Sequence, residues 1–390
     1  MNIILKDFNS DNLLPFTFTR PVAGIRVGIL TIAEKWERYL KATVSYQTKD
    51  YLAAKFSLKV GENNLVVNGG ILPTAVLVNQ LLALQSNEVL VKNSLVIGYV
   101  TNDPLKDFSV ADLNVIESNA EFISITTTWD IFSKNAEALQ QDFDLLTKDR
   151  KSQPIPSNNT VINPENVFLE EGAQVSCSIL NASTGPIYVG KNAEIMEGCI
   201  IRGGLALCDN AVLKMGAKIY GAATFGPFCK VGGEVNNAVL FAYSNKGHEG
   251  FLGNSVLGEW CNLGADTNTS NLKNNYAPVK LWDYKKEGFV QTGLQFCGLM
   301  MGDHSKAGIN TMFNTGTVVG VSANVFGTGF PRNFVPSYSW GGASGFTTYR
   351  TNKAFETAKA MMGRRGVEFD QIEQDILETV FELTQKWRKS

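Results

Sequence analysis

Of the two histidines in this chain, one sits where it could do acid–base chemistry. His248 lies in the glycine-rich run Ser244-Asn-Lys-Gly-His-Glu-Gly-Phe-Leu-Gly253, and a neutral imidazole with a pKa of about 6.5 can take a proton near neutral pH. Other reactive groups are cations. Lys273, Lys280, Lys285 and Lys286 crowd a short segment downstream, able to meet phosphate or simply to form a solvated face. Near the start, Arg20 and Arg26 carry the planar fork that recognises phosphate bidentately, or else they pair ions at a helix entry. Six cysteines are present without a C-x-x-C pair, which argues for buried thiols and against a zinc site or a disulfide framework.

What must hold these groups is legible in the middle of the chain. Val189, Ile195, Ile201, Leu207, Leu213, Ile219, Phe225 and Val231 return every sixth residue. Four residues after each stands a mostly smaller one: Ala193, Cys199, Leu205, Ala211, Ala217, Ala223, Cys229 and Val235. Neither a helix nor an ordinary strand has this period; a hexapeptide parallel β-helix does. Roughly eighteen residues then make one triangular coil, and each coil adds one strand spacing of about 4.8 Å. Leu169 with Ala173 and Val175 with Ile179 extend the pattern backwards, with a slip near residues 183–186. Phe251, Leu257 and Leu263, with Ser255, Cys261 and Thr267, extend it forwards, as do Ile309, Thr315 and Val321 with Phe313, Val319 and Val325. The solenoid is expected from about 160 to 330, broken at 237–250 and 268–294 by projecting loops, where binding groups usually sit.

Before it, strand and helix patterns alternate, as in an α/β domain. The expected organisation is a small α/β domain over 1–150, the solenoid over 151–330, and an irregular segment with C-terminal helices over 331–390. Of those helices, at about 353–362 and 370–387, the second carries an apolar face with Ile372, Ile376, Leu377, Val380, Phe381 and Leu383. A net charge of −2 and 44% apolar content describe an ordinary soluble chain. No basic tract points to nucleic acid, no apolar run is long enough for a membrane span, and the opening residues lack a signal-peptide pattern, so a cytoplasmic location is expected.

The segment around His248, followed by Gly264-Ala-Asp-Thr-Asn-Thr-Ser-Asn271-Leu-Lys-Asn-Asn-Tyr276, resembles the acetyltransferase half of a bacterial bifunctional family. That family comprises UDP-N-acetylglucosamine pyrophosphorylases that are also glucosamine-1-phosphate N-acetyltransferases. By this resemblance the solenoid is a left-handed β-helix and the protein a homotrimer. His248 falls on the family's catalytic base and Asn271 on the Asn that contacts the amino sugar, at the same spacing. Glu234 matches a Glu ahead of the base, while the Lys that follows it in the family is Asn236 here. Lys273 and Lys280 are then candidate replacements for substrate contacts, and Ala265, Arg364 and Arg365 are candidates for holding acetyl-CoA. With two histidines, the three-histidine zinc carbonic anhydrases of the same solenoid class are excluded.

Residues 14–28, Leu-Pro-Phe-Thr-Phe-Thr-Arg-Pro-Val-Ala-Gly-Ile-Arg-Val-Gly, resemble more distantly the entry motif of sugar nucleotidyltransferases. Their glycine-rich phosphate loop is replaced by Asp7-Phe-Asn-Ser-Asp-Asn12, and the family's magnesium-binding Gly-Asp reads Gly69-Gly70. The resemblance implies acetyl transfer from acetyl-CoA to an amino sugar 1-phosphate, coupled to UTP-dependent nucleotidyl transfer with Mg2+ if the first domain is active. Two alternatives stand beside it: a sugar-1-phosphate nucleotidyltransferase with a noncatalytic β-helix, and a noncatalytic assembly scaffold.

Overall fold

The structure, a computed structural model, describes residues 1–106 and 109–388. The chain forms two compact units, one built from residues 1–13, 19–25 and 30–126, the other from 14–18, 26–29 and the chain from 127 on.

The first unit is α/β. Its six-stranded sheet runs in the order Val44–Gln47, Asn2–Lys6, Asn64–Asn68, Leu95–Thr101, Glu88–Lys92, Asn114–Glu117. Asn2–Lys6 is parallel to both its neighbours, and Leu95–Thr101 is antiparallel to both of its own. Helix Ile32–Leu40 starts on a capping box, in which the Thr31 hydroxyl accepts from Glu34 N–H and the Glu34 carboxylate from Thr31 N–H. The helix buries Trp36, whose indole N–H donates to the Ile71 carbonyl at 2.8 Å.

In the second unit, short strands stack into three parallel sheets of six, nine and ten strands, the last ending in the antiparallel strand Gly345–Thr348. This is a parallel β-solenoid of about ten turns. Pairing partners are 18 apart where the hexads run unbroken, as in Ile187 with Leu205 and Leu205 with Ala223. Ile179 pairs with Ile200 across the slip at 183–186. Every large and small residue of the central hexads is fully buried, including Cys199 and Cys229.

Two parts of the forward extension differ from expectation. Leu252, not Phe251, pairs with Val235 and faces inward. Farther on, Ala307, Phe313, Val319 and Val325 fill the large slot and Thr311, Thr317 and Ala323 the small one, which leaves Ile309 69% exposed on a corner. Ile309 and Phe313 are both apolar, so the six-residue period alone does not say which of them faces inward.

The expected loop at 237–250 is instead a shortened coil. Val239–Leu240 pairs with strand Ala223–Phe225, and Asn245–Lys246 pairs with Lys230–Val231. The second break does project: after strand Asn268–Thr269 the chain makes the antiparallel hairpin Lys280–Asp283 and Gly288–Gln291. Trp282 of the hairpin stacks on Phe334 at 4.2 Å.

Residues 14–18 and 26–29 leave the α/β sequence to join the solenoid. Phe16 packs against Phe241 with centroids 5.3 Å apart, and the Thr224 hydroxyl donates to the Gly28 carbonyl at 2.9 Å. Helices Asp130–Ser133 and Asn135–Thr147 belong to this unit too, with the Asn135 amide donating to the Ala222 carbonyl at 2.9 Å. At the far end, helix Gln371–Leu383 buries Ile376, Leu377 and Val380, and the Tyr338 hydroxyl donates to the Leu377 carbonyl at 2.7 Å. The solenoid's last turns are therefore covered by the chain's own C-terminal helix.

Phe225 is the largest side chain of the central hexads and is completely enclosed. Phe225→Ala should lower stability by about 3–5 kcal/mol, the cost of a large buried aromatic replaced by a cavity. A shift of the urea unfolding midpoint to lower concentration, at unchanged slope, checks this.

Candidate active site

Stacking brings residues far apart in sequence into columns on the solenoid's surface. In the sheet that contains Asn245–Lys246, residues Val212, Lys230, Asn245, Asn262 and Lys306 follow one another from coil to coil. At the turn entering this sheet, Phe228, Tyr243, Trp260 and His304 all adopt left-handed backbone, with φ of 60°, 53°, 60° and 60°. Their rings stack in a ladder: Phe228 on Tyr243 at 4.9 Å, Tyr243 on Trp260 at 4.1 Å, and Trp260 on His304 at 6.3 Å. His304 is thus a buried turn residue.

A groove of about 670 Å³ runs along this face. The ladder gives one wall through Tyr243 and Trp260, and the corner after the sheet gives the other through His248, Ala265 and Ile309. Lys214, Lys230, Lys306, Arg364 and Arg365 supply positive charge, and no carboxylate is among its lining residues. Burial and then the charges of Arg365, Lys214 and Arg364 hold the Lys230 ammonium below the usual lysine range. Like charges gathered on a lining that holds no carboxylate favour an anion. Arg365 donates to Asn245 Oδ1 at 3.2 Å, which ties the end of helix Thr351–Gly363 to the groove. Lys306 donates to the carbonyls of Trp260 and His304 at 2.9 and 2.6 Å, and burial pushes its pKa down to about 8.

His248 is exposed at the mouth, in the turn between strands Asn245–Lys246 and Phe251–Gly253. The turn's path is set by Gly250, whose φ of +112° excludes other residues and where a Cβ would stand 2.2 Å from the Thr267 carbonyl oxygen. On the adjoining face, Glu234 is next to Phe251 in the sheet and accepts from the Tyr220 hydroxyl at 2.5 Å. Asn271 donates to Asn254 Oδ1 at 2.8 Å, against the backbone of Gly253. His248 therefore stands on the corner between a cationic groove and a face carrying Glu234 and Asn271.

The groove collects His248, Ala265, Arg364 and Arg365 from the expected set; Lys273 and Lys280 are not among its lining residues. Lys273 donates to the Pro278 carbonyl at 3.0 Å within its own loop, and Lys280 begins the hairpin that packs on Phe334. Lys214, Lys230, Tyr243, Trp260 and Lys306 were not singled out in sequence. Their signal is there, in positions spaced by one coil on the outward side of the hexads, once the chain is read three hexads at a time.

In the α/β unit, the positions expected to hold nucleotide look different. Arg20 is 5% exposed and, in the second unit, Arg26 is 8% exposed and donates to the Ile29 carbonyl. The end of strand Asn2–Lys6 is taken by Asp7, whose carboxylate accepts from the Val22 N–H at 2.8 Å and the Thr48 hydroxyl at 2.6 Å. These donors are held by a carboxylate. A dent lined by Asn9, Val22, Asn68, Gly70 and others has no internal volume. Among the described residues, no group of three or more His, Cys, Asp or Glu could hold a metal ion. With Gly69 and Gly70 lacking a side chain and Asp7 engaged, the residues present do not fit the magnesium site of the resemblance.

Residues 3–151 match the family model described as sugar nucleotidyl transferase. The chain is 28% identical over 153 residues to an uncharacterized acetyltransferase YaiX of Escherichia coli, covering 36% of this chain and 61% of that protein. It is 22% identical over 208 residues to the bifunctional protein GlmU of Synechococcus elongatus, covering 48% of this chain and 42% of GlmU. With GlmU of Methanocaldococcus jannaschii it shares 34% over 87 residues, 22% of this chain and 21% of that one. The chain thus spans less than two thirds of these curated relatives. The UDP-N-acetylglucosamine acyltransferase from Campylobacter jejuni aligns over 61% of this chain and 92% of its own, at 14% identity and a TM-score of 0.27. The polysialic-acid-specific acetyltransferase NeuO aligns over 54% and 94%, at 12% identity and a TM-score of 0.26. In class, this is a hexapeptide-repeat solenoid joined to a sugar nucleotidyltransferase-like domain. Within that class its sequence is similar to a divergent GlmU-like family.

Burial pushes the Asp7 carboxyl from 3.8 up to about 6, against the two hydrogen bonds it accepts. A folded-state pKa above the unfolded one means that the folded state binds this proton more tightly. Asp7 thus stabilises the α/β unit fully below about pH 3.8, and this contribution is lost as pH rises through 6. In Asp7→Asn the part of the melting-temperature change between pH 4 and 7 that comes from this group should vanish, as read by thermal melts across that range.

Proposed function

We propose that the solenoid unit is an acetyltransferase of sugar-nucleotide metabolism, with His248 as general base and acetyl-CoA lying in the cationic groove. The observation that carries this reading is the placement of the imidazole at the mouth of a groove rich in lysine and arginine and free of carboxylates. Coenzyme A is a polyphosphate with a long neutral arm. Lys214, Lys230, Arg364 and Arg365 would take its phosphates, and the arm would run along the sheet to bring the thioester to His248. Ala265, on the next coil of the same corner, would contact the acyl end.

The acceptor we assign is the amine of an amino sugar 1-phosphate, glucosamine 1-phosphate first. It would approach from the face carrying Glu234 and Asn271, with Asn271 orienting the sugar. The amine nitrogen attacks the thioester carbon, and His248 takes the proton that the nitrogen sheds. The carbon–sulfur bond then breaks, and the departing thiolate takes up the proton from the imidazolium, leaving an amide and free coenzyme A. The family resemblance further supports a homotrimer in a cytoplasmic setting. Nucleotidyl transfer from UTP to a sugar phosphate in the first unit is the less favoured part of the reading, because Asp7 takes the Val22 N–H and Thr48 hydroxyl at the strand end and Arg20 is buried.

Purified protein with acetyl-CoA and glucosamine 1-phosphate should release free thiol, and His248→Ala should cut that rate by at least about a hundredfold, within the usual range for losing a general base. Circular dichroism of the variant should be unchanged. A His248→Ala protein as active as the parent would remove the assignment.

A further inference from the structure

The interior column beside His248 contains one residue that does not belong in an apolar core. Strand pairing aligns Ile195, Leu213, Val231 and Lys246 on successive coils, and Leu263, Ala307 and Val325 continue the column beyond. All are buried, and Lys246 is 2% exposed. A lysine in such a position costs several kcal/mol relative to an aliphatic residue of similar volume, so its presence is not explained by stability. Its side chain threads from the interior to the corner, and its Nζ donates to the His248 carbonyl at 2.6 Å.

The corner is shaped for this contact. Gly233, one coil earlier, has φ +70°, and a Cβ there would come 2.8 Å from the His248 oxygen and 2.9 Å from Nζ. Burial pushes the Lys246 pKa down to about 8, while the charges of Glu249 and Asp266 support the ammonium and that of Lys218 opposes it. Later turns of this corner carry neutral side-chain bonds, as where the Thr267 and Thr311 hydroxyls donate to the Gly308 carbonyl; this one has a charged anchor from inside the solenoid. The peptide between His248 and Glu249 is trans, so a carbonyl drawn inward turns the Glu249 N–H outward, toward the side from which His248 works.

We infer that Lys246 is a positioning residue of the acyl-transfer site: it fixes the His248–Glu249 peptide from within the solenoid and so sets the direction in which the imidazole projects. The inference rests on His248 being the base. A misplacement of about 1 Å in a catalytic group is enough to cost about a hundredfold in rate, whereas binding of acetyl-CoA along the outer groove does not involve Lys246.

The test is Lys246→Met, which keeps the volume and removes the donor, with Lys246→Leu in its place if the Met protein does not fold. His248→Ala is run alongside, with acetyl-CoA and glucosamine 1-phosphate as substrates. The expected result is a melting temperature equal to or above the parent's, a kcat reduced about 10–100-fold, and an acetyl-CoA KM within about twofold. Hydrogen exchange at Asp266 and Glu234, whose N–H groups donate to the Glu249 and Gly250 carbonyls of this turn, should accelerate at least about tenfold while the rest of the solenoid is unchanged. A folded variant with parental kcat, or with parental exchange at those two amides, overturns the inference. Failure of the His248 reading shows separately, as turnover by His248→Ala or as no turnover by the parent, and the exchange measurement then decides the role of Lys246 alone.

Discussion

Everything in the solenoid depends on the register of its parallel strands. Each coil hydrogen-bonds to the coils before and after it, and no coil can bury its apolar edge alone. A single exact register thus converts a spacing of 18 residues into direct contact, as for Ile201 and Ile219 or Leu207 and Phe225. Where coils are shortened, as between Lys230 and Asn245, the same ladder persists with fewer residues in the turns. The interior columns are then filled by apolar side chains and small hydroxyl ones such as Thr311 and Thr317, against which the buried charge of Lys246 stands out.

The groove follows from that register. A column that runs Lys230, Asn245, Asn262 and Lys306 on the outward side, with left-handed turns that stack aromatic rings beside it, makes a straight polar wall without any folding of loops around a ligand. The C-terminal helix Thr351–Gly363 adds Met361 beside the wall, and Arg364 and Arg365 directly follow the helix. His248 contributes from a corner whose path is dictated by Gly250 and by the short coil that carries it. Rigid columns are well suited to holding a long, charged, otherwise featureless substrate, and they leave only the corner to decide where its reactive end lies.

Much of this was legible in the sequence, for a physical reason: an interior slot tolerates so few residue types that Val189 to Val231 announces its own geometry. The C-terminal helices were legible too, because Ile376, Leu377 and Val380 keep a helical period. Order within a hexad was not, since Ile309 and Phe313 are equally apolar and only pairing across the hairpin insertion tells which faces inward. The segment 237–250 read as a loop because its coil is short of the usual length and its inward position is taken by Lys246. Candidate site residues divided similarly. His248, Arg364 and Arg365 could be named from type and resemblance, but Lys214, Lys230 and Lys306 meet only through register, and Lys273 and Lys280 are held by their own loop and hairpin. Arg20 and Arg26 matched a motif in type, while burial gives them to the fold.

The most direct test of the account is a crystal structure of the protein with acetyl-CoA bound. Coenzyme phosphates are expected on Lys214, Lys230, Arg364 or Arg365, with the acetyl group at the His248 corner, leaving room for an acceptor nitrogen about 3–3.5 Å from the thioester carbon and within reach of the imidazole. A coenzyme bound with its thioester on another face, or its phosphates away from this groove, would contradict it.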